Sequence, residues 1–255
     1  MTTFQYAAAD SLTMFRRGIR HTLRTPDTMI VAVALPVILM LMFVYVFGGA
    51  MSVGTDYIDY VVPGIILLCA SFGAASTATS VAVDMTEGIV DRFRTMAIAR
   101  SAVLTGHVAA SLVRNLVTTG IVIGVAVLIG FGPNATFVEW LAAVGLVALF
   151  VLAISWLSVA LGLIARSAEA ANGFTFLLLF LPYVSSAFVP TSSMPSWLQW
   201  FAENQPVTPV IETLRGLLMG TAIGDSAVLA IGWCVGIAVF GYLWSGWLFR
   251  QKTSR

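Results

Sequence analysis

Apolar residues in this chain gather into long unbroken runs, and polar residues fall mainly between them. Six runs reach the length of about 20 residues that an α-helix needs to cross a hydrocarbon layer of about 30 Å. They cover Thr28–Met51, Tyr60–Val83, Leu104–Phe131, Trp140–Ala165, Ala170–Val189 and Ala227–Phe249. Inside lipid the backbone must satisfy its own hydrogen bonds, so each run reads as a helix. The pattern predicts an all-α integral membrane protein: one domain over 1–255 with six transmembrane helices. Pro36, Pro63 and Pro182 fall in or near the ends of these runs, where a kink is tolerated. The first run begins after some 27 residues and is about 22 long, beyond the roughly 7–15 residues of a signal-peptide core, so it reads as a true span.

Three stretches between the runs carry a different period. Over 10–25, Leu12, Phe15, Ile19 and Leu23 share one helical face, with Arg17, Arg20, His21 and Arg24 on the other and Arg16 at the boundary. Such a helix lies flat at a membrane surface, its arginines among the head groups. Over 84–96, Met85, Ile89, Phe93 and Met96 form an apolar stripe opposite Glu87, Asp91 and Arg94. Glu87 and Asp91 stand four apart, an arrangement that costs an isolated helix a few tenths of a kcal/mol and that a basic or amide-rich partner surface would relieve. Over 194–220, Trp197, Leu198, Trp200 and Phe201 sit beside Glu203 and Asn204, followed by VIETLRGLLMG. Two short re-entrant helices, parted by Pro206 and Pro209, fit that mixture, with tryptophan at head-group depth.

Composition supports the membrane assignment: 59% of residues are hydrophobic and 10% charged, against about 45–50% and about 25% in soluble domains. Charge then orients the spans. With the N-terminus inside, the inner loops collect Arg16, Arg17, Arg20, Arg24, Arg92, Arg94, Arg100, Arg166, Arg250, Lys252 and Arg255, while the outside receives Arg215. The positive-inside rule therefore predicts that both termini are cytoplasmic. A formal net charge of +1 points to no nucleic-acid partner.

The chemistry that is missing narrows the function. The single lysine is Lys252, so no G-x-x-x-x-G-K-[ST] phosphate loop exists. His21 and His107 have no carboxylate or cysteine at ligand spacing, which predicts no metal site. No nucleophile elbow is present, and the chain is expected to have no catalytic residue and no cofactor of its own. Ion-coupled carriers bury acidic or histidine side chains in their spans, whereas the acidic residues here stand at span ends or in loops. The ionisable group well inside a span is Arg114, which could snorkel to the interface, enter a structural ion pair or touch cargo. Span two carries the run ASFGAASTATS over 70–80, suited either to close packing or to a polar path. Span five is rich in aromatics, with Phe174, Phe176, Phe180, Tyr183 and Phe188, facing lipid and neighbouring helices or lining an apolar path. Cys69 and Cys234 read as packing residues.

Four blocks in this order carry a family resemblance: the arginine-rich interfacial helix, VFGGAM…DYIDYVVPGI over 46–65, DMTEGIVDRFRTMAIAR, and AFVP…MPSWLQWFAENQPVTPVIETLRGLLMG over 187–220. The chain resembles the ABC-2 type permease family, most closely its daunorubicin/doxorubicin resistance permease group. One departure is Ala97, which stands where the family often has proline. The resemblance implies that the helix of 84–96 is a coupling helix seated in a separate cytoplasmic ATPase, with Glu87, Gly88, Asp91, Arg92 and Arg94 in that contact and the link of 166–172 as a lesser one. It further implies two ATPase subunits that hold the ATP and magnesium, and a second permease chain, forming a homodimer. The path would then run between protomers, along spans two and five, with Ser76, Thr77, Thr79, Ser80, Phe174, Phe176 and Phe180 as candidates. The expected function is ATP-driven export of a lipophilic or amphipathic, drug-like compound across the cell membrane of a bacterium. The alternatives are a lipid or glycan precursor as cargo and, from another class, an ion-coupled carrier.

Overall fold

The computed structural model describes residues 26–50, 56–86 and 100–253, and every regular element among them is helical. In chain order these are α1 (Pro26–Leu41, continued by a π turn, Met42–Phe47), α2 (Tyr57–Thr86), α3 (Arg100–Leu128), α4 (Phe137–Ile164), α5 (Ala168–Phe180, continued by a 3-10 turn, Leu181–Val184), α6 (Ser196–Asn204), α7 (Val207–Met219) and α8 (Ser226–Thr253). The interfacial helix expected over 10–25 and most of the coupling helix expected over 84–96 lie outside the described residues.

Among the described residues five helices are long and apolar enough to cross a membrane. The fifth predicted run differs from its expectation. It was expected to cross as Ala170–Val189, but α5 and its 3-10 turn end at Val184. Pro182 has no N–H to continue the ladder. The Ser185 hydroxyl then donates to the Pro182 carbonyl at 2.6 Å and closes the turn. Elsewhere several helices start before their apolar runs. α4 begins three residues before Trp140 because Thr136 and Glu139 form a reciprocal capping box, with the Glu139 carboxylate 2.7 Å from Thr136 N. The loop expected over 194–220 holds α6 and α7. Pro206 caps α7 and Pro209 falls in its first turn, where a missing N–H costs nothing, so Pro209 lies within α7 and does not part the two helices. Gly220 ends α7 at φ 72°, a left-handed cap.

Long-range contacts fix the helix directions. At one end of the bundle His107 meets Asp84, and Phe249 packs with Leu104, Val108 and Leu163. At the other end Asp59 accepts from Gly132 N, the Tyr57 hydroxyl donates to Phe188 O at 3.0 Å, and Phe43 stacks on Phe188 at 4.2 Å. α2, α4 and α8 thus run one way, and α1, α3 and α5 run the other. α2 is the central post, packed by α1, α3, α4, α5 and α7, with Val61 through Ser71 all buried. Phe188, counted among the aromatics of span five, is buried in this core and lies on no outer surface.

Two glycines set the spacing of the parallel trio. A side chain on Gly162 of α4 would strike the Ala78 carbonyl oxygen of α2, and one on Gly241 of α8 would reach Leu157 N at 2.8 Å on α4. Bare backbone at such crossings lets helices approach more closely than leucine would allow. Gly162→Val should cost about 1–3 kcal/mol, because the obstructing atom is backbone and cannot rotate away. Gly236, with nothing within 4 Å, should accept valine without loss. Thermal unfolding of both variants in nanodiscs makes the comparison, and equal melting temperatures would contradict this packing. The outer faces of α1, α5 and α8 expose Ile38, Phe176, Leu177, Val228 and Phe240. Apolar area on that scale suits lipid or another chain, not water.

Candidate functional site

The small, hydroxylated run on α2 divides between two faces. Ser71 and Thr77 turn inward. Ser71 donates to Leu67 O of its own helix, and Thr77 begins a chain across three helices: its hydroxyl donates to Ser111 Oγ on α3 at 2.9 Å, and Ser111 Oγ lies 3.0 Å from Ser155 Oγ on α4. Thr77, a candidate path residue by sequence, is therefore buried in helix packing. Ser76 and Ser80 are exposed on the opposite face, where each hydroxyl bonds back to a carbonyl of α2. Thr79 is half-buried and donates to Asn172 Oδ1 on α5 at 2.7 Å, joining the two helices named by sequence as the path. Phe174, Phe176 and Phe180 on α5 are all exposed.

Arg114 stands beside this outward strip. It lies ten residues past Leu104, about 15 Å along the helix axis, close to mid-depth of a 30 Å layer. Its guanidinium turns sideways to α2: Nη2 donates to Gly73 O at 3.2 Å and to Ser76 Oγ at 2.7 Å. Gly73 makes room for the next residue, Asn115, since a side chain at 73 would occupy the place of its amide oxygen. The Asn115 Nδ2 donates to Ser111 O at 2.8 Å, while its Oδ1 finds no partner among the described residues. No carboxylate faces Arg114 among the described residues. An arginine near the centre of a bilayer costs about 2.5–3.5 kcal/mol on insertion scales, so its place on α3 is a cost that needs a reason.

Two polar contacts between charged-type side chains and distant segments were not legible. His107, isolated in sequence, has the Asp84 carboxylate at 3.0 Å, where α2 ends and α3 begins. The pair sits three residues before Glu87, at the base of the segment expected to couple. Arg215 is held still more fully. It donates through Nη1 to Glu212 at 2.7 Å, through Nη2 to Tyr60 O at 3.1 Å and Ser186 O at 2.9 Å, and lies 3.9 Å over the Tyr60 ring. The sequence signal was a lone arginine in an apolar helix. Its partners come from positions 29 and 155 residues away. Glu87, Gly88, Asp91, Arg92 and Arg94 lie outside the described residues. Cys69 and Cys234 are buried free thiols.

The arrangement offers a surface of hydroxyls, one cation and phenylalanines, with no nucleophile or general base beside it among the described residues. Its character is that of a short polar strip on an otherwise apolar helical bundle.

Comparison with known proteins agrees with that character. The profile of the ABC-2 type transporter family matches residues 10–219. A daunorubicin resistance ABC transporter permease protein of Streptomyces coeruleorubidus is 30% identical over 218 residues, covering 85% of this chain and 77% of that protein. A probable doxorubicin resistance ABC transporter permease protein of Mycobacterium tuberculosis is 26% identical over 235 residues, covering 91% and 84%. An ABC transporter G family member of Dictyostelium discoideum is 24% identical over 172 residues, 65% of this chain and 23% of that much longer protein. With five membrane-length helices and a family match over most of its length, the chain belongs to the ABC-2 type transporter family, as a multi-pass membrane permease.

Proposed function

We propose that the chain is the membrane-spanning subunit of an ATP-binding cassette exporter, moving a lipophilic or amphipathic, drug-like compound outward on ATP hydrolysed by a separate ATPase. The observation that carries this is the family match over residues 10–219 in a sequence with no phosphate-binding loop. The drug-resistance names of two relatives support the cargo class. In this reading α5 and its 3-10 turn complete a six-span bundle, α6 and α7 re-enter from the outer side, and both termini lie in the cytoplasm with the arginine-rich loops. Two copies pair along the exposed faces of α2 and α5 and take two ATPase subunits at the end marked by Asp84 and His107.

The test is co-reconstitution with the partner ATPase in proteoliposomes, reading doxorubicin movement by its fluorescence. Movement should require ATP and should survive an uncoupler. Doxorubicin flux that persists without ATP and collapses with uncoupler would identify an ion-coupled carrier instead.

A further inference from the structure

Packing is incomplete between α3 and α4, where a groove leaves a cavity of about 100 Å³. Its walls follow from helical spacing: Leu116, Gly120 and Ile123 recur on one stripe of α3, and Trp140, Val144 and Val147 on one stripe of α4. Ile66 of α2 with Leu214 and Leu218 of α7 forms the floor, each no more than 1% exposed. Gly120 and Val144 are the exposed lining residues and mark the mouth, one on each helix. Gly120 keeps that mouth open, since a side chain there would meet nothing within 4 Å. Val117, Ile121 and Leu141 beside it are exposed too, so the groove is continuous with the apolar surface that a multi-pass permease turns to lipid. No charged residue lines it, and only Thr119 and Trp140 bring a polar side-chain atom. Water gains little in such a place: apolar cavities of about 150 Å³ stay dry and take up hydrocarbon. Each stripe rises about 10 Å along its helix, beginning at Trp140 in the first turn of α4, a depth where tryptophan anchors. A groove of that length, parallel to the helices, has the run of a lipid chain in a leaflet about 15 Å thick.

We propose that this groove is a lipid seat: one acyl chain of a phospholipid, from the leaflet on the α7 side, enters past Gly120 and Val144 and packs on Leu214 and Leu218. The chain completes the packing of α7 where the protein's own side chains stop short. Such a seat goes beyond the export reading and is independent of what the permease carries.

The test places the full-length permease in phosphatidylcholine nanodiscs doped with phosphatidylcholine that carries a diazirine midway along one acyl chain. Illumination followed by mass mapping of peptides should find adducts on Leu214 and Leu218, which a chain that merely coats the outer surface cannot touch. Gly120→Leu puts a better helix former into open space and fills the mouth. It should abolish the adducts on α7 and leave those on Phe240, at the outer face of α8, unchanged. Val144→Phe, on the other side of the mouth, should do the same. A wild type without adducts on Leu214 and Leu218, or adducts there that persist in either variant, would overturn the proposal. Loss of those adducts on adding doxorubicin, with Phe240 still labelled, would assign the groove to cargo and overturn it as well. No ATP or ATPase is present, so this result and a failure of ATP-driven movement are separate.

Discussion

Arg215→Leu should lower the melting temperature of the purified permease by about 10 °C. The guanidinium is 7% exposed and joins three pieces of chain that are remote in sequence: the first turn of α2 through Tyr60 O, the turn after α5 through Ser186 O, and its own helix through Glu212. Leucine fills the volume but donates nothing. Each buried carbonyl left without its donor costs about 1–3 kcal/mol, and the contact with the Tyr60 ring adds about 0.5–2 kcal/mol. A sum near 3 kcal/mol, spread over a chain of this size, corresponds to a shift of that order. Glu212→Gln is the control. Glu212 is 39% exposed, keeps an amide oxygen for Arg215 and should cost less than about 1 kcal/mol. Differential scanning fluorimetry in nanodiscs measures both. An Arg215→Leu protein as stable as its Glu212→Gln counterpart would show that the clasp is not what holds α7 against α2.

Glu87→Arg should reduce ATP-driven export to background while the protein still inserts normally. The sequence pattern expects Glu87 and Asp91 on one helical face, and in the proposed reading a basic surface on the ATPase would relieve their mutual repulsion. At such an interface, reversing one of the two charges would place like against like, which costs several kcal/mol and so more than tenfold in coupling. Insertion should be untouched, because in the proposed orientation a further arginine in this loop strengthens the positive-inside bias. Inside-out vesicles carrying the permease with its ATPase provide the assay. Full transport by this variant would remove Glu87 from the contact, and rescue by an acidic substitution on the ATPase would secure it.

Hydropathy made the long helices legible, because a run that lipid tolerates must be helical. It was poorer at their ends. α2 starts at Tyr57, not Tyr60, and α8 continues to Thr253, beyond Phe249, since hydrogen bonding does not stop where hydrocarbon does. The early end of α5 was foreshadowed by Pro182, yet the apolar residues after it, Ala187 and Phe188, hid the break by packing into the core as loop. At the candidate site, sequence located the hydroxyl run but could not divide it. Thr77 and Thr79 are two residues apart, about 200° around a helix, and only the positions of α3 and α5 decide that one is interior and the other borders the outer strip. Arg114 was conspicuous as an intramembrane charge, while its lateral bond to Gly73 and Ser76 depends on the register of two helices. Asp84 with His107 and Arg215 with Tyr60 were illegible for the same reason, being tertiary pairs built from residues ordinary in their own segments.

The two glycine crossings on α4 also govern how such a chain drifts over evolutionary time. Gly162 and Gly241 meet backbone atoms, so a mutation there has no compensating change among neighbouring side chains. Gly232 and Gly236, about two and a half and one and a half turns before Gly241 on the same helix, meet nothing within 4 Å and can be replaced freely. A lineage can therefore exchange most of its lipid-facing surface while its three parallel helices keep the same distances.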